Sequence, residues 1–189
     1  MKRNRTLSLL ATALLMAAAT LTHTACNSDA STRYTSLRAF FHFKPVSSIP
    51  VLQQALNNPG IYCKITFTPQ YYLFENAQGT TGQANRTALD AYGKPVYVSG
   101  FVVGLSSVPA ANGNFEPKAY DLVCPNCYLD AAIQRALAFL STDSEMLVCN
   151  RCHRHYNLRN EGIVVSGSQG QPLFQYHIQS VSDAVYISN

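Results

Sequence analysis

Hydrophobic and polar residues alternate along several stretches of the chain, which predicts a protein built mainly of β-strands. The clearest stretch is IYCKITF over residues 61–67, which places Ile, Cys, Ile and Phe on one face and Tyr, Lys and Thr on the other. Cys63 lies on the apolar face, so we interpret it as a small buried hydrophobic residue rather than a metal ligand. In PLFQYHI, His177 is predicted to face outward, and the final stretch AVYISN is predicted to be an edge strand.

One short helix and one long loop interrupt the strands. The helix is predicted in SSIPVLQQALNNPG, where Ser47 or Ser48 can cap the first turn, Pro50 suits that turn and NNPG ends it. The residues from Asn76 to Tyr92 are polar and glycine-rich without periodicity, which predicts a long surface loop.

The composition agrees with an all-β protein of one domain. The chain has 189 residues and no tryptophan, and valine, isoleucine, tyrosine and threonine are frequent. Its formal charge of +4 includes Lys2, Arg3 and Arg5, and without these three the chain has 11 basic and 10 acidic residues. This near-neutral balance gives no electrostatic reason to expect nucleic acid as a partner.

The first residues have the pattern of a secretory signal. A basic start is followed by an apolar run from Leu7 to Leu21, which is too short to span a bilayer comfortably, and then by small residues. Cys26 stands where this run ends, and its surroundings resemble the lipobox of bacterial lipoproteins, although His23 occupies the position where that motif usually has leucine. Ordinary cleavage after Ala30 is the alternative, and we favour lipidation of Cys26.

This interpretation divides the chain into three parts. Residues 1–25 are a signal peptide, residues 26–36 are a polar tether, and residues 37–189 are the folded domain. Acyl chains on Cys26 would anchor the protein in a membrane by burying their CH₂ groups. We therefore expect an exported protein of the bacterial cell envelope, namely an outer-membrane lipoprotein.

The strongest chemical signal is a pair of CxxC motifs. Cys124 and Cys127 form the first, in DLVCPNCYLD, and Cys149 and Cys152 form the second, in LVCNRCHRHYNL, with 21 residues between them. Each CxxC turn points two sulfurs the same way, and two such turns make a tetrahedral sulfur cage. Four thiolates suit zinc or iron–sulfur chemistry.

The segment between the two motifs decides whether they can meet. A hairpin with a polar turn from Ser141 to Ser144 would bring the second motif beside the first, and a helix over Ala131–Leu140 is the alternative. We favour the hairpin, so no helix is expected after Pro125, and a thioredoxin-like redox motif, which needs a helix N-terminus, is disfavoured. Disulfides are the remaining alternative in an exported protein.

Two histidines, His153 and His155, follow the second motif. An imidazole here could replace Cys152 as a ligand or donate a hydrogen bond to a sulfur, or it could be an exposed loop residue. The sequence shows no Ser/His/Asp constellation and no paired carboxylates near a cleft, so we expect an electron carrier or a binding module rather than an enzyme.

From about Phe115 to Ile178 the sequence resembles the Rieske iron–sulfur domain. FEPKAYDLVCP is similar to the strand and Cys-Pro turn of that family's first ligand loop, and LVCNRCHRHYNLRNEGIVVSGSQGQPLFQY is similar to its second ligand loop and the following strands. The resemblance implies an antiparallel β-sandwich with a small zinc-ribbon or rubredoxin-like metal-binding subdomain over about residues 121–160. It also implies a 2Fe–2S cluster and a redox partner protein.

The ligand pattern departs from that of the family, which uses CxH followed by CxxH. Cys124 and Cys149 match the family's cysteines, Cys152 occupies the second histidine position, and Asn126 occupies the first, with Cys127 one place later. Four thiolates would lower the reduction potential relative to two imidazoles. Together with the signal-like start, the resemblance implies a membrane-anchored Rieske-like lipoprotein of the Bacteroides type with a 2Fe–2S electron-transfer centre. The alternative is a structural zinc site in a non-enzymatic envelope binding protein.

Overall fold

Two antiparallel β-sheets and two short α-helices form the described part of the chain. The computed structural model describes residues 33–86 and 93–189. The predicted signal peptide, Cys26 and most of the predicted tether lie outside the described residues. Within the described ranges, no helix is long and apolar enough to cross a membrane.

The described residues contain twelve strands and two α-helices. The helices are α1 (Pro50–Asn57) and α2 (Pro125–Ala131). The strands, in chain order, are β1 (Phe40–Phe43), β2 (Ile61–Phe67), β3 (Tyr71–Asn76), β4 (Thr81–Asn85), β5 (Phe101–Leu105), β6 (Pro117–Asp121), β7 (Ala138–Leu140), β8 (Asp143–Val148), β9 (His155–Asn157), β10 (Ile163–Ser166), β11 (Gln175–Val181) and β12 (Ala184–Ser188). The prediction of a mostly β protein is confirmed, but the structure contains a second α-helix, α2, that the sequence did not predict.

The larger sheet has eight strands in the order β1-β12-β11-β6-β5-β2-β3-β4, and the smaller sheet has four in the order β10-β9-β8-β7. Every pairing is antiparallel. The larger sheet curls around a first hydrophobic core, which α1 covers with Leu52 and Ala55. Cys63 and Ile65 of β2 are fully buried in this core, which confirms the apolar face predicted for that strand.

A second hydrophobic core lies on the opposite face of the central strands. Tyr62 of β2, Val102 of β5 and Tyr120 of β6 alternate with the residues of the first core and belong to this second one, together with Leu147 and Tyr156 of the smaller sheet. The prediction that Tyr62 lies on a polar face was wrong, because the smaller sheet covers that side of β2. The central strands are therefore buried on both faces.

A buried carboxylate joins the two sheets. Glu145 of β8 has only 2% of its side chain exposed and accepts from Nε of Arg159 at 2.8 Å. Its other oxygen accepts from the backbone N–H of Ser107, which lies just beyond β5, at 2.8 Å. Arg159 also donates to both oxygens of Asp143 at 2.7 and 2.9 Å and thereby holds the pKa of that carboxyl below its usual range. The free-energy cost of burying the Glu145 carboxylate is thus offset by the guanidinium of Arg159.

The long surface loop predicted from Asn76 to Tyr92 contains a strand. β4 pairs with β3, and Oδ1 of Asn76 accepts from the backbone N–H of Gln78 and Thr80, which closes the turn between them. Asparagine favours such turns because its side chain mimics a backbone acceptor. Residues 87–92, at the end of the predicted loop, lie outside the described residues.

The predictions for the last strand and for the cap of the first helix were wrong. β12 is not an edge strand, because it pairs with β11 on one side and with β1, which the sequence pattern did not predict, on the other. α1 begins at Pro50 without a serine cap: the Ser47 hydroxyl donates to Asp183, and the Ser48 hydroxyl donates to the carbonyl of Pro45. His177 faces outward from β11 as predicted.

The last residues of the predicted tether pack on the larger sheet. The ring of Tyr34 stacks on that of His177 with the centroids 3.6 Å apart. The backbone N–H of Thr35 donates to the carbonyl of Gln175 at 2.9 Å. Tyr34 and Thr35 therefore pack against the described domain.

Candidate metal centre

The two CxxC motifs lie side by side at one end of the second core. Cys124 directly precedes α2, and Cys127 lies in the first turn of that helix. Cys149 directly follows β8, and Cys152 lies in the turn between β8 and β9. The predicted hairpin is confirmed as β7 and β8, and it returns the second motif to the first.

The four sulfurs form a compact cage in which all lie within 4.8 Å of one another. Sγ of Cys124 is 3.6 Å from Sγ of Cys152, and Sγ of Cys127 is 3.7 Å from Sγ of Cys149. One ion bound tetrahedrally by thiolates at about 2.3 Å would have sulfurs about 3.8 Å apart. The four cysteines therefore lie close enough to bind a metal ion.

The described cysteines are free thiols, and their sulfurs are much farther apart than the roughly 2.05 Å of a disulfide bond. Cys124 and Cys149 are fully buried, Cys127 is 6% exposed, and Cys152 is half-buried. Cys124, Cys127 and Cys149 belong to the second core together with five leucines: Leu122, Leu137, Leu147, Leu158 and Leu173. Such an apolar shell limits the access of water to a bound ion.

Hydrogen-bond donors approach the sulfurs from both motifs. The Tyr156 hydroxyl lies 3.2 Å from Sγ of Cys124 and accepts from Nδ2 of Asn126 at 2.9 Å. Because Asn126 already fills an acceptor position on that hydroxyl, its single proton is free to point at the Cys124 sulfur. The backbone N–H of Cys127 also donates to Cys124, and the backbone N–H and guanidinium of Arg154 donate to Cys152. These donors stabilise thiolates.

Three of the thiols, those of Cys124, Cys127 and Cys152, differ in the direction of their pKa shifts. Burial raises the pKa of Cys124 and Cys127, and the neighbouring thiols raise that of Cys127 further. Burial also acts to raise the pKa of Cys152, but the donors on Arg154 outweigh it and lower the value to about 7. Cys152 is therefore the easiest of these three to deprotonate at neutral pH, and a bound cation would favour the thiolate form of the buried sulfurs.

An exposed loop, residues 167–172, which we call the covering loop, is held by one side chain inside the first motif and by one side chain just after the second. Asn126 accepts from the backbone N–H of Gln171 at 2.9 Å and donates to its carbonyl at 3.1 Å. Arg154 donates from Nε to the carbonyl of Ser168 at 2.9 Å. A Cβ at Gly170 would collide with the Asn126 amide, so glycine permits this close approach.

The prediction that no helix follows the first motif was wrong. α2 begins at Pro125, and the backbone N–H of Tyr128 donates to the carbonyl of Cys124. Proline suits the first helical position because it lacks an N–H and its φ is already close to the helical value. The sequence argument that separated this motif from redox CxxC motifs therefore does not hold.

Of the described residues, only the four cysteines belong to the sulfur cage, so it includes neither His153 nor His155. His153 is exposed and adopts a left-handed φ of 57°, and its backbone N–H donates to the carbonyl of Cys149, which closes the second CxxC turn. His155 begins β9 and pairs with Val148. Asn126, assigned to a histidine position by the family resemblance, instead links Tyr156 to the covering loop.

Replacing Tyr156 with phenylalanine is expected to weaken metal binding about 10- to 100-fold, because the Cys124 sulfur loses a hydrogen-bond donor. Competition with a chromophoric zinc chelator measures the affinity. Tyr62→Phe is the matched control, since the Tyr62 hydroxyl is buried but donates to the carbonyl of Leu158 rather than to a cysteine. Equal losses of affinity in both variants would show that the Tyr156 bond to sulfur has no specific effect.

Comparison with protein-family models and with curated proteins gives no match for the chain. The chemistry of the centre is therefore inferred from the sulfur cage and its donors.

Proposed function

We propose that this chain is a non-enzymatic binding protein of the bacterial envelope in which Cys124, Cys127, Cys149 and Cys152 hold one structural zinc ion. The size of the sulfur cage carries the proposal, because two sulfur–sulfur separations of 3.6 and 3.7 Å are close to the edge of a zinc–thiolate tetrahedron, and all four sulfurs lie within 4.8 Å of one another. Zinc would supply a fixed cross-link between the two CxxC turns.

The cage favours one ion over a 2Fe–2S cluster. Such a cluster places two cysteine sulfurs on each of two irons, so the two pairs of sulfurs are separated by an additional iron–iron distance. Here all four sulfurs stay within 4.8 Å of one another. A binuclear cluster would require two of the sulfurs to move away from the other two.

The ligand set favours a structural role. Structural zinc sites are closed by four protein ligands, whereas catalytic zinc keeps one position open for water or substrate. Four cysteines leave no open position, and three of them are almost completely buried. The exposed covering loop, which Asn126 and Arg154 fasten, is then available to a binding partner.

A 2Fe–2S electron-transfer module is the second candidate. The resemblance of residues 115–178 to the Rieske domain supports it, as does the Tyr156 hydroxyl on Cys124, because hydrogen bonds to sulfur tune cluster potentials. A β-sandwich with a small metal-binding subdomain of the zinc-ribbon or rubredoxin type suits either metal. Half-buried Cys152 would be the exit for an electron to a redox partner.

The proposal includes an envelope location. The signal-like start and the lipobox-like setting of Cys26 support export and lipidation, which would place the protein on a membrane of the envelope. The described domain supplies no transmembrane helix, so the acyl chains would be its anchor.

Metal analysis of the purified full chain, together with its ultraviolet–visible spectrum, tests the proposal. The expected result is about one zinc per chain and no visible absorption. About two irons per chain, with absorption that bleaches on addition of dithionite, would establish the second candidate instead. Protein prepared without oxygen that holds no metal and has few free thiols would contradict both.

A further inference from the structure

We propose that Cys152 is a site of oxidation by hydroperoxides, and that its oxidation joins it to Cys124 in a disulfide and releases the metal ion. This inference rests on the proposed four-cysteine metal site and adds a means of regulating it. It is carried by the unequal exposure of the four cysteines and by the separation of one pair of sulfurs.

Cys152 is the cysteine of the cage that solvent reaches. It is half-buried, whereas Cys124 and Cys149 are fully buried and Cys127 is 6% exposed. Oxidation of cysteine follows exposure, so a small hydroperoxide would react here first.

Cys124 is placed to complete the reaction. Its sulfur lies 3.6 Å from that of Cys152 and is held there by the Tyr156 hydroxyl. Formation of a disulfide of about 2.05 Å requires the two sulfurs to approach by about 1.5 Å. The disulfide would therefore link the two CxxC motifs to each other rather than close within one of them.

The chemistry balances with hydrogen peroxide as the oxidant. The Cys152 thiolate attacks one oxygen, the O–O bond breaks, and the other oxygen leaves as water after taking a proton from solvent, which gives a sulfenic acid. The Cys124 thiolate then attacks that sulfur, the S–S bond forms, and the hydroxyl group leaves as a second water with a second proton from solvent. Two thiolates thus lose two electrons to one peroxide.

Release of the ion follows from the loss of two ligands. Neither sulfur of a disulfide is a thiolate, and thiolates are the species that bind zinc. Cys127 and Cys149 remain, and two thiolates do not complete a tetrahedral site. Arg154 would also lose its thiolate partner while it still bonds the covering loop at Ser168.

The test treats the zinc-loaded full chain with hydrogen peroxide and follows free zinc with a metallochromic indicator. Unreduced peptide mapping by mass spectrometry identifies the first disulfide. We expect one zinc released per disulfide formed, with Cys124 joined to Cys152 in the earliest product. Cys63 is expected to stay reduced, because it is fully buried in the first core, away from the cage. The Cys63→Ala variant should release zinc at the wild-type rate.

A first disulfide between Cys149 and Cys152, or between Cys127 and Cys149, would overturn the inference, as would oxidation of Cys152 with zinc fully retained. These outcomes differ from failure of the proposed function, which appears before peroxide is added as protein without bound zinc. In that case the metal-release step is contradicted together with the proposed function.

Discussion

The Cys149→Ala variant is expected to lose stoichiometric metal binding and to unfold at much lower urea concentration than the wild-type protein. Cys149 is fully buried, and its sulfur lies 3.7 Å from that of Cys127, so no water can easily replace it as a ligand. Structural zinc contributes about 10–16 kcal/mol to the folding of zinc-finger peptides, where the ion replaces most of a core. Here the second core also stabilises the fold, and we expect the free energy of unfolding to fall by more than about 3 kcal/mol.

The matched control is Cys63→Ala. Cys63 is also a fully buried free thiol, but it lies in the first core between strands of the larger sheet. Its loss leaves a small cavity, which costs about 1 kcal/mol and leaves metal content unchanged. Metal analysis and urea unfolding of both variants decide the issue. A Cys149→Ala protein that keeps one zinc per chain would contradict a four-cysteine site.

The Arg159→Leu variant is expected to lose about 3–5 kcal/mol of unfolding free energy, because it leaves the Glu145 carboxylate buried without its guanidinium. Glu145 is 2% exposed and lies between the two sheets, so its charge cannot turn to solvent. Arg159 is not among the donors at the cysteine sulfurs, and metal content should stay at the wild-type value. Urea unfolding of metal-loaded protein measures the effect.

Two further variants separate the cost of the buried charge from other effects of the substitution. Adding Glu145→Gln to Arg159→Leu removes the charge and is expected to restore part of the stability. Glu161→Gln removes an exposed carboxylate, since Glu161 is 48% exposed and lies 4.0 Å from Lys118, and should cost less than about 1 kcal/mol. A loss at Arg159→Leu no larger than that at Glu161→Gln would show that Glu145 does not need the guanidinium.

The parts of the fold that the sequence predicts correctly are those set by strict alternation. Cys63 and Ile65 are buried in the first core because residues two apart share one face of a strand. Tyr62 was misplaced because alternation within one strand reveals one buried face and does not indicate a second sheet on the other. β4 was missed because its sequence, TGQAN, lacks the apolar residues that identify a strand, and its pairing with β3 depends on the turn at Asn76.

The sequence predicted the four cysteines of the candidate site but not the residues that surround them. The two CxxC spacings identify the four cysteines, because two-residue gaps point both sulfurs of a turn in the same direction. The donors to those sulfurs depend on long-range packing, as with Tyr156, which lies 32 residues from Cys124 in the chain. Asn126 stands inside the first motif, but the sequence did not indicate its bonds, because its partner Gln171 is 45 residues away.

The stacking of Tyr34 on His177 holds residue 34 against the domain and so limits the distance between the domain and a lipid anchor at Cys26. Only seven residues lie between Cys26 and Tyr34 in the sequence, and a fully extended chain of that length spans at most about 30 Å. A lipidated protein would thus sample a thin layer above the bilayer, comparable in depth to the domain itself. Its encounters would be two-dimensional, so a partner held in the same membrane would meet it at a high local concentration even at low copy number.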